Sequence, residues 1–322
     1  MATTKQNDPS TAECIRDAAA QLARHRRGPV LLFVSQSLIH ADVLTVRKLL
    51  GGERGDHLDL IVAGPGGVSE AAYLVARELR RRFTHLTAYV PFEAKSAATL
   101  LCLAADELVL GDLGELGPLD QQYEAKQTAD YPLSTSQLLP GVALRQLQDG
   151  ATACYDALVR RIVKESGLRP LEAGSKAAEL VGTLYAPLVQ QLDPARLAEC
   201  ARGLAVGKAY AERVLRRYRP ALWAESGPQL LERLVQDYAT HNFVLDREEL
   251  AEVGLPTRAP DDTEVALLNQ LALALIAFGT DDDLIALVTG ADGTPTLAAA
   301  GSSQARGHTP RKTLRGRAGR TT

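Results

Sequence analysis

Short unbroken apolar runs alternate with helical segments along residues 28–120, and that alternation leaves few folds open. "PVLLFVS", "LDLIVA", "LTAYV" and "ELVL" are each too short for a stable helix and mostly apolar. Such runs read as strands buried on both faces. Between them lie helical patterns. Residues 42–50 end at Gly51 and Gly52. Residues 69–83 place Ala72, Val75, Ala76, Leu79 and Phe83 at helical spacing, with Arg77, Arg80 and Arg81 outside that set. A third helix starts at Ser96. Strands and helices at this spacing imply parallel strands joined by right-handed crossovers. Residues 28–120 are therefore expected to be an α/β core, preceded by a helix over residues 11–24 in an N-terminal segment, 1–27.

The second half changes character and reads as mainly helical. Ser134 and Gln137 stand in capping-box spacing ahead of a long helix reaching about Ser166. Asp193 is an N-cap with Pro194 at the first helical position, opening a helix to about Arg217. Another helix covers roughly 228–239. Asp246 and Glu249 repeat the capping-box spacing before Gly254. Over residues 258–300 come an apolar helix and then "DDLIALVTGADGTPTLAAA", where Asp292-Gly293 predicts a hairpin turn. Residues 301–322 are basic and poor in bulky apolar side chains, the composition of a disordered tail.

Charge and cysteine usage exclude several classes. The 36 basic and 39 acidic residues leave a net charge of −3, so the whole molecule does not attract nucleic acid. Only the basic tail has the charge for it, and a short solvated tail is the plainer reading. Cys14, Cys102, Cys154 and Cys200 are scattered, without a metal-ligand or disulfide spacing. No metal and no cofactor is expected, and the reduced thiols predict a cytoplasmic protein. The first 30 residues lack a secretory apolar segment. The longest apolar stretch, "VALLNQLALALIAFG", is interrupted by Asn269 and Gln270 and short for a membrane span.

Two loops follow strand ends, where open α/β sheets place their ligands. The first is Gly64-Pro65-Gly66-Gly67. Adjacent glycines admit backbone conformations closed to other residues and bring N–H groups close to a ligand. A tight strand-to-helix turn would use the same residues. The second is Ala94-Lys95-Ser96-Ala97. Ser96 can be a helix cap or a nucleophile. The small Ala97, Ala98 and Thr99 let another chain approach it and leave the Ala97 N–H open as a donor.

These stretches carry a resemblance. "PGGVSEAAYLVARELRRRF", "AKSAATLLCLAADELVLG" and "ELGPLDQQ" resemble the serine dehydrogenase proteinase family, and the likeness continues in "LYAPLVQQLDPARLAEC" and "HNFVLDREELAEVGL". The family shares the ClpP/crotonase fold with ClpP and signal peptide peptidase A. The resemblance spans roughly residues 28–257, implying a ClpP/crotonase-like domain with a helical extension. It implies Ser96 as the nucleophile, and Gly67 and Ala97 as oxyanion donors beside Gly66. It also implies a peptide or protein substrate and a homo-oligomer.

The general base is open. Asp120 falls near the place where ClpP has its catalytic histidine, and a carboxylate is no direct substitute for an imidazole. Lys95 is adjacent to Ser96, but neighbours at a helix start point in different directions. Its ammonium has Glu93 or Asp120 as potential partners. Lys126 lies downstream in a polar loop. His241 is the one histidine inside a family-like motif of the helical half, and a helix C-terminus would use it equally. The leading expectation is a serine peptidase-like hydrolase. A non-catalytic scaffold of the same fold is the alternative, and crotonase-like chemistry on an acyl-thioester ranks last.

Overall fold

The structure is a computed structural model that describes residues 10–119, 122–124, 134–136, 138–238, 240, 242–278, 283–289 and 296–300. The tail at 301–322 and the turn residues Asp292 and Gly293 lie outside these.

The chain opens with α1 (Thr11–Arg26), closed at its start by a capping box between Ser10 and Glu13. Then come β1 (Val30–Val34), α2 (His40–Leu50), β2 (Gly55–Ala63), α3 (Ser69–Arg80) and β3 (Phe83–Val90). A short β4 (Glu93–Ala94) leads into α4 (Ala97–Cys102), β5 (Glu107–Leu110) and β6 (Glu115–Leu116). β1, β2, β3 and β5 pair in parallel. The expected parallel core with crossover helices is present.

The helical half follows a small hairpin of β7 (Gln122–Glu124) and β8 (Ser134–Ser136). Ser134, expected to cap the next helix, instead lies in β8. The helices are α5 (Leu138–Ser166), α6 (Pro170–Val189), α7 (Pro194–Tyr218), α8 (Pro220–Glu225), α9 (Gly227–Gln236) and α10 (Arg247–Glu252). Asp193 and Asp246 cap α7 and α10 as expected, each accepting two backbone N–H bonds at 2.9–3.3 Å. The expectation missed α6, whose buried face is made only of small or β-branched residues: Ala173, Ala177 and Val181.

α11 (Asp262–Phe278) then returns to the sheet, and β9 (Leu284–Thr289) and β10 (Thr296–Ala300) extend it. The strand order is β10-β9-β1-β2-β3-β5, with β9 antiparallel to both neighbours. The expected antiparallel pairing of these two segments is therefore seen. Its cross-sheet partner, β1, could not be read from local pattern.

Strand alternation divides the core into two layers. Leu31, Phe33, Leu60 and Val62 face α2, α3, α4 and the helical half. Val30, Leu32, Val34, Ile61 and Tyr89 face α1 and α11.

A buried polar network pins α11 to the second layer. Glu264 and Asp59 are fully buried. Glu264 accepts two bonds from Arg258, at 2.7 and 2.8 Å, and one from the Tyr89 hydroxyl at 2.6 Å. It also closes a capping box with Asp261, whose N–H it accepts at 2.9 Å. Arg26 reaches Asp59 at 3.3 Å. Burial pushes the Glu264 carboxyl up. The hydrogen bonds from Arg258 and Tyr89 outweigh it, so the net shift is below the ordinary value.

Arg258→Ala strips a buried carboxylate of its main partner. Arg258 is itself about a third exposed, so the expected loss is about 3 kcal/mol, the low end for breaking a buried pair. Because the folded pKa of Glu264 is depressed, its contribution is complete above the unfolded glutamate pKa of about 4.3. It is lost as pH falls through the folded value. Urea unfolding should show the gap between wild type and variant closing in that acidic range; a gap independent of pH would contradict this account.

Candidate active site

The site lies at the C-terminal ends of β2 and β3, where two loops meet. Gly64 pairs with Ala94: its N–H donates to Glu93 O at 2.8 Å, and its carbonyl accepts from Lys95 N–H at 3.0 Å. On its other flank the glycine turn pairs with Leu38, through Leu38 N to Gly66 O at 2.7 Å and Val68 N to Leu38 O at 2.8 Å. The turn is thus held from both sides.

Only glycine fits there. Gly66 has φ +109°, and a Cβ on it would lie 2.7 Å from Ser96 Cβ, 2.7 Å from Lys95 O and 2.9 Å from Ala97 N. Gly67 has φ +143°, and its Cβ would meet Leu38 O at 2.4 Å. The diglycine therefore touches the serine loop directly, the convergence that the sequence reading requires.

Ser96 occupies the N-cap position of α4, yet its side chain makes no capping bond. The helix-cap explanation of this serine is not supported. Its backbone sits at φ +51°, ψ −115°. It is one of two non-glycine residues with positive φ among those described. Strain of this kind costs about 1–3 kcal/mol and persists where surrounding structure imposes it. Ser96 is partly exposed, while Ala97, Ala98 and Thr99 behind it are buried. The Thr99 hydroxyl donates to Ala94 O at 2.7 Å and lies 2.9 Å from Gly117 O. It also accepts the Gly117 N–H at 3.2 Å. Thr99, read from sequence only as a small residue, ties the serine loop to the next one.

Lys95 is buried and committed elsewhere. Its Nζ contacts Glu115 Oε1 at 2.5 Å, Leu116 O at 3.1 Å and Phe243 O at 3.2 Å. An ammonium has three donors, and these contacts use all three. Lys95 therefore does not stand as a free amine beside Ser96. Among the described residues its ion-pair partner is Glu115, not the expected Glu93. By joining β6 and the segment at Phe243, it fastens the helical half under the serine loop. Leu116 and Leu245 reinforce that join by pairing through both backbones. Glu115 was missed because nothing in its local pattern distinguishes it from a surface glutamate.

Asp120, Lys126 and His241 lie outside the described residues. Glu93 adjoins the glycine turn through the Gly64 N–H bond to its carbonyl. Burial pushes its carboxyl above the ordinary range; Lys95 lowers it and Glu115 raises it further. The carboxylate makes no hydrogen bond or ion pair with the described residues. Cys102 is fully buried in α4, as expected of a core residue.

Three potential metal-ligand atoms, on His25, Asp261 and Glu264, lie within 4.8 Å of one another. The carboxylates there already accept from Arg258, Tyr89 and backbone N–H groups, and the Arg258 guanidinium supplies positive charge beside Glu264. Among the described residues no helix is long and apolar enough to cross a membrane.

Residues 42–138 match the model of the ClpP-like SDH-type serine proteinases. This segment, under a third of the chain, is similar to that family. The ClpP-like segment contains both loops of the site and the strands that carry them, and its parallel sheet with crossover helices is the fold that the sequence predicted. Two uncharacterized proteins of Methanocaldococcus jannaschii are similar. MJ0137 is 34% identical over 24% of this chain and 27% of its own length. MJ1495 is 35% identical over 20% and 22%. The chain thus spans about a quarter of the length of these relatives. A solved structure of a mutant 1510-N membrane-bound stomatin-specific protease aligns over 45% of this chain and 68% of that one. Its identity is 13% and its TM-score 0.27.

Removing the Lys95 ammonium orphans Glu115 and the Phe243 carbonyl at once, while Leu116 O keeps the Leu245 N–H. Lys95→Ala should cost about 3–5 kcal/mol in urea unfolding; a loss under 1 kcal/mol would show that the contacts are incidental. Gly66→Ala is expected to disrupt the serine loop locally. Reaction of Ser96 with a fluorophosphonate should fall at least tenfold while the chain still melts cooperatively.

Proposed function

We propose that the protein is a serine peptidase-like hydrolase in which Ser96 attacks a peptide carbonyl. The observation that carries this reading is Ser96 itself: strained, partly exposed, capping nothing and in contact with the diglycine turn. A hydroxyl in that conformation has no structural task in α4, and nucleophilic serines need such exposure at a turn.

The chemistry follows from the two loops. A substrate strand lies along the edge formed by the glycine turn and the serine loop. Ser96 Oγ adds to the carbonyl carbon as its proton passes to a general base. The carbonyl oxygen becomes an oxyanion held by the N–H groups of Gly67 and Ala97, neither of which has a backbone acceptor among the described residues. Each such donor contributes roughly 3–4 kcal/mol to the transition state. The base returns the proton to the leaving amine as the C–N bond breaks, and water then hydrolyses the acyl-serine. Lys95 acts as a strut. On chemistry alone we propose His241 as the base, ahead of Asp120 and Lys126, because an imidazole is poised for proton transfer near neutral pH.

A fluorophosphonate should label the full chain at one serine, and Ser96→Ala should abolish the labelling. Peptide hydrolysis should fall in parallel by on the order of 10³-fold or more. The rise of kcat/KM with pH should have a midpoint near 6.5 for an imidazole base, against about 4 for a carboxylate. A Ser96→Ala variant with undiminished hydrolysis would refute the mechanism. A wild type that neither labels nor hydrolyses would make the chain a non-catalytic scaffold of this fold.

A further inference from the structure

Behind the glycine turn, on the α1 and α11 side of the sheet, is a cavity of about 270 Å³. Gly64 and Pro65 form one wall, so at most two residues separate it from the Gly67 N–H. At 3.8 Å per residue that is about 8 Å of chain, the reach of one long side chain. Val34, Ala63, Phe92, Leu275 and Ile276 supply apolar surface. Its volume lies below the roughly 300–1,000 Å³ of sites that hold drug-sized ligands, so it suits a single side chain and not a cofactor.

The polar groups of this cavity are Gln36 and Glu93. Glu93 is half-buried, and its side-chain carboxylate has no hydrogen-bond or ion-pair partner among the described residues. A partly desolvated carboxylate at the end of an apolar cleft is costly to leave alone. A cation delivered on an aliphatic stem satisfies both features: the stem lies against the apolar wall and the charge meets the carboxylate. The Lys95 ammonium acts on this carboxylate through space, but its three donors are spent on Glu115, Leu116 and Phe243, so it makes no direct bond there.

We propose that this cavity is a specificity subsite for a basic side chain, lysine or arginine, of the peptide substrate, with Glu93 as its recognition group. The proposal rests on the hydrolase reading above. Ile276 is half-exposed at the rim, so α11, which lies beyond the family-matched segment, supplies part of the specificity wall.

The test uses the full chain and paired fluorogenic peptides that differ only in lysine or norleucine at one position, scanned along the peptide. At one position lysine should give a kcat/KM at least tenfold above norleucine. Glu93→Gln should remove most of that preference, lowering the lysine peptide at least tenfold more than its partner. Equal turnover of each pair in the wild type, or an equal loss for both peptides in Glu93→Gln, would overturn the proposal while leaving the hydrolase intact. A second arm measures anisotropy of the same labelled peptides on Ser96→Ala. If no peptide is cleaved, tighter lysine binding that disappears with Glu93→Gln would keep the subsite and remove the hydrolase. Binding that does not distinguish lysine from norleucine would overturn the subsite.

Discussion

The site depends on a close approach of two backbones. Gly66 and the Ser96 loop are nearer than any Cβ would permit, and Gly64 and Gly67 are packed as tightly against Ser35 and Leu38. That contact brings two strand ends from separate crossovers to one place. It also accounts for the unusual backbone of Ser96, which is clamped between the glycine turn on one side and the Thr99 and Lys95 bonds on the other. The cost of the strained residue, of order 1–3 kcal/mol, is spread over these hydrogen bonds and the buried helix behind it.

Charge is distributed around this contact in two buried clusters with different purposes. On the α11 side, Arg258, Glu264 and Tyr89 tie a helix late in the chain to the central strands. On the other side, Lys95 and Glu115 join the serine loop to the helical half through Phe243 and Leu116. Both clusters link residues more than a hundred positions apart. They let a six-residue helix and short loops hold a defined geometry. Glu93 borders the second cluster: its carboxylate feels the Lys95 and Glu115 charges but has no hydrogen bond or ion pair among the described residues.

Much of the fold was legible because burial on both faces leaves a local mark. The four parallel strands, the helices between them, and the Asp193 and Asp246 caps all follow from patterns within a dozen residues. Where the pattern was weak, reading stopped: α6 buries only Ala173, Ala177 and Val181, and Ser134 sits in a strand rather than a cap. The glycine turn and Ser96 were visible as candidates, since their residue types are unusual at strand ends. The role of Lys95 was not, because its partners are two distant carbonyls and an unremarkable glutamate.

By itself the sequence determined the alternating core, the two loops at the strand ends and the residue types able to do acyl chemistry there. These are local properties, set by side-chain period and backbone freedom. Only the tertiary structure decided that Ser96 caps nothing, that Lys95 is bound away from it, and that α11 closes a cavity beside Glu93. Each of these depends on contacts between segments far apart in the chain, and a linear pattern carries no record of which distant carbonyl an ammonium will meet.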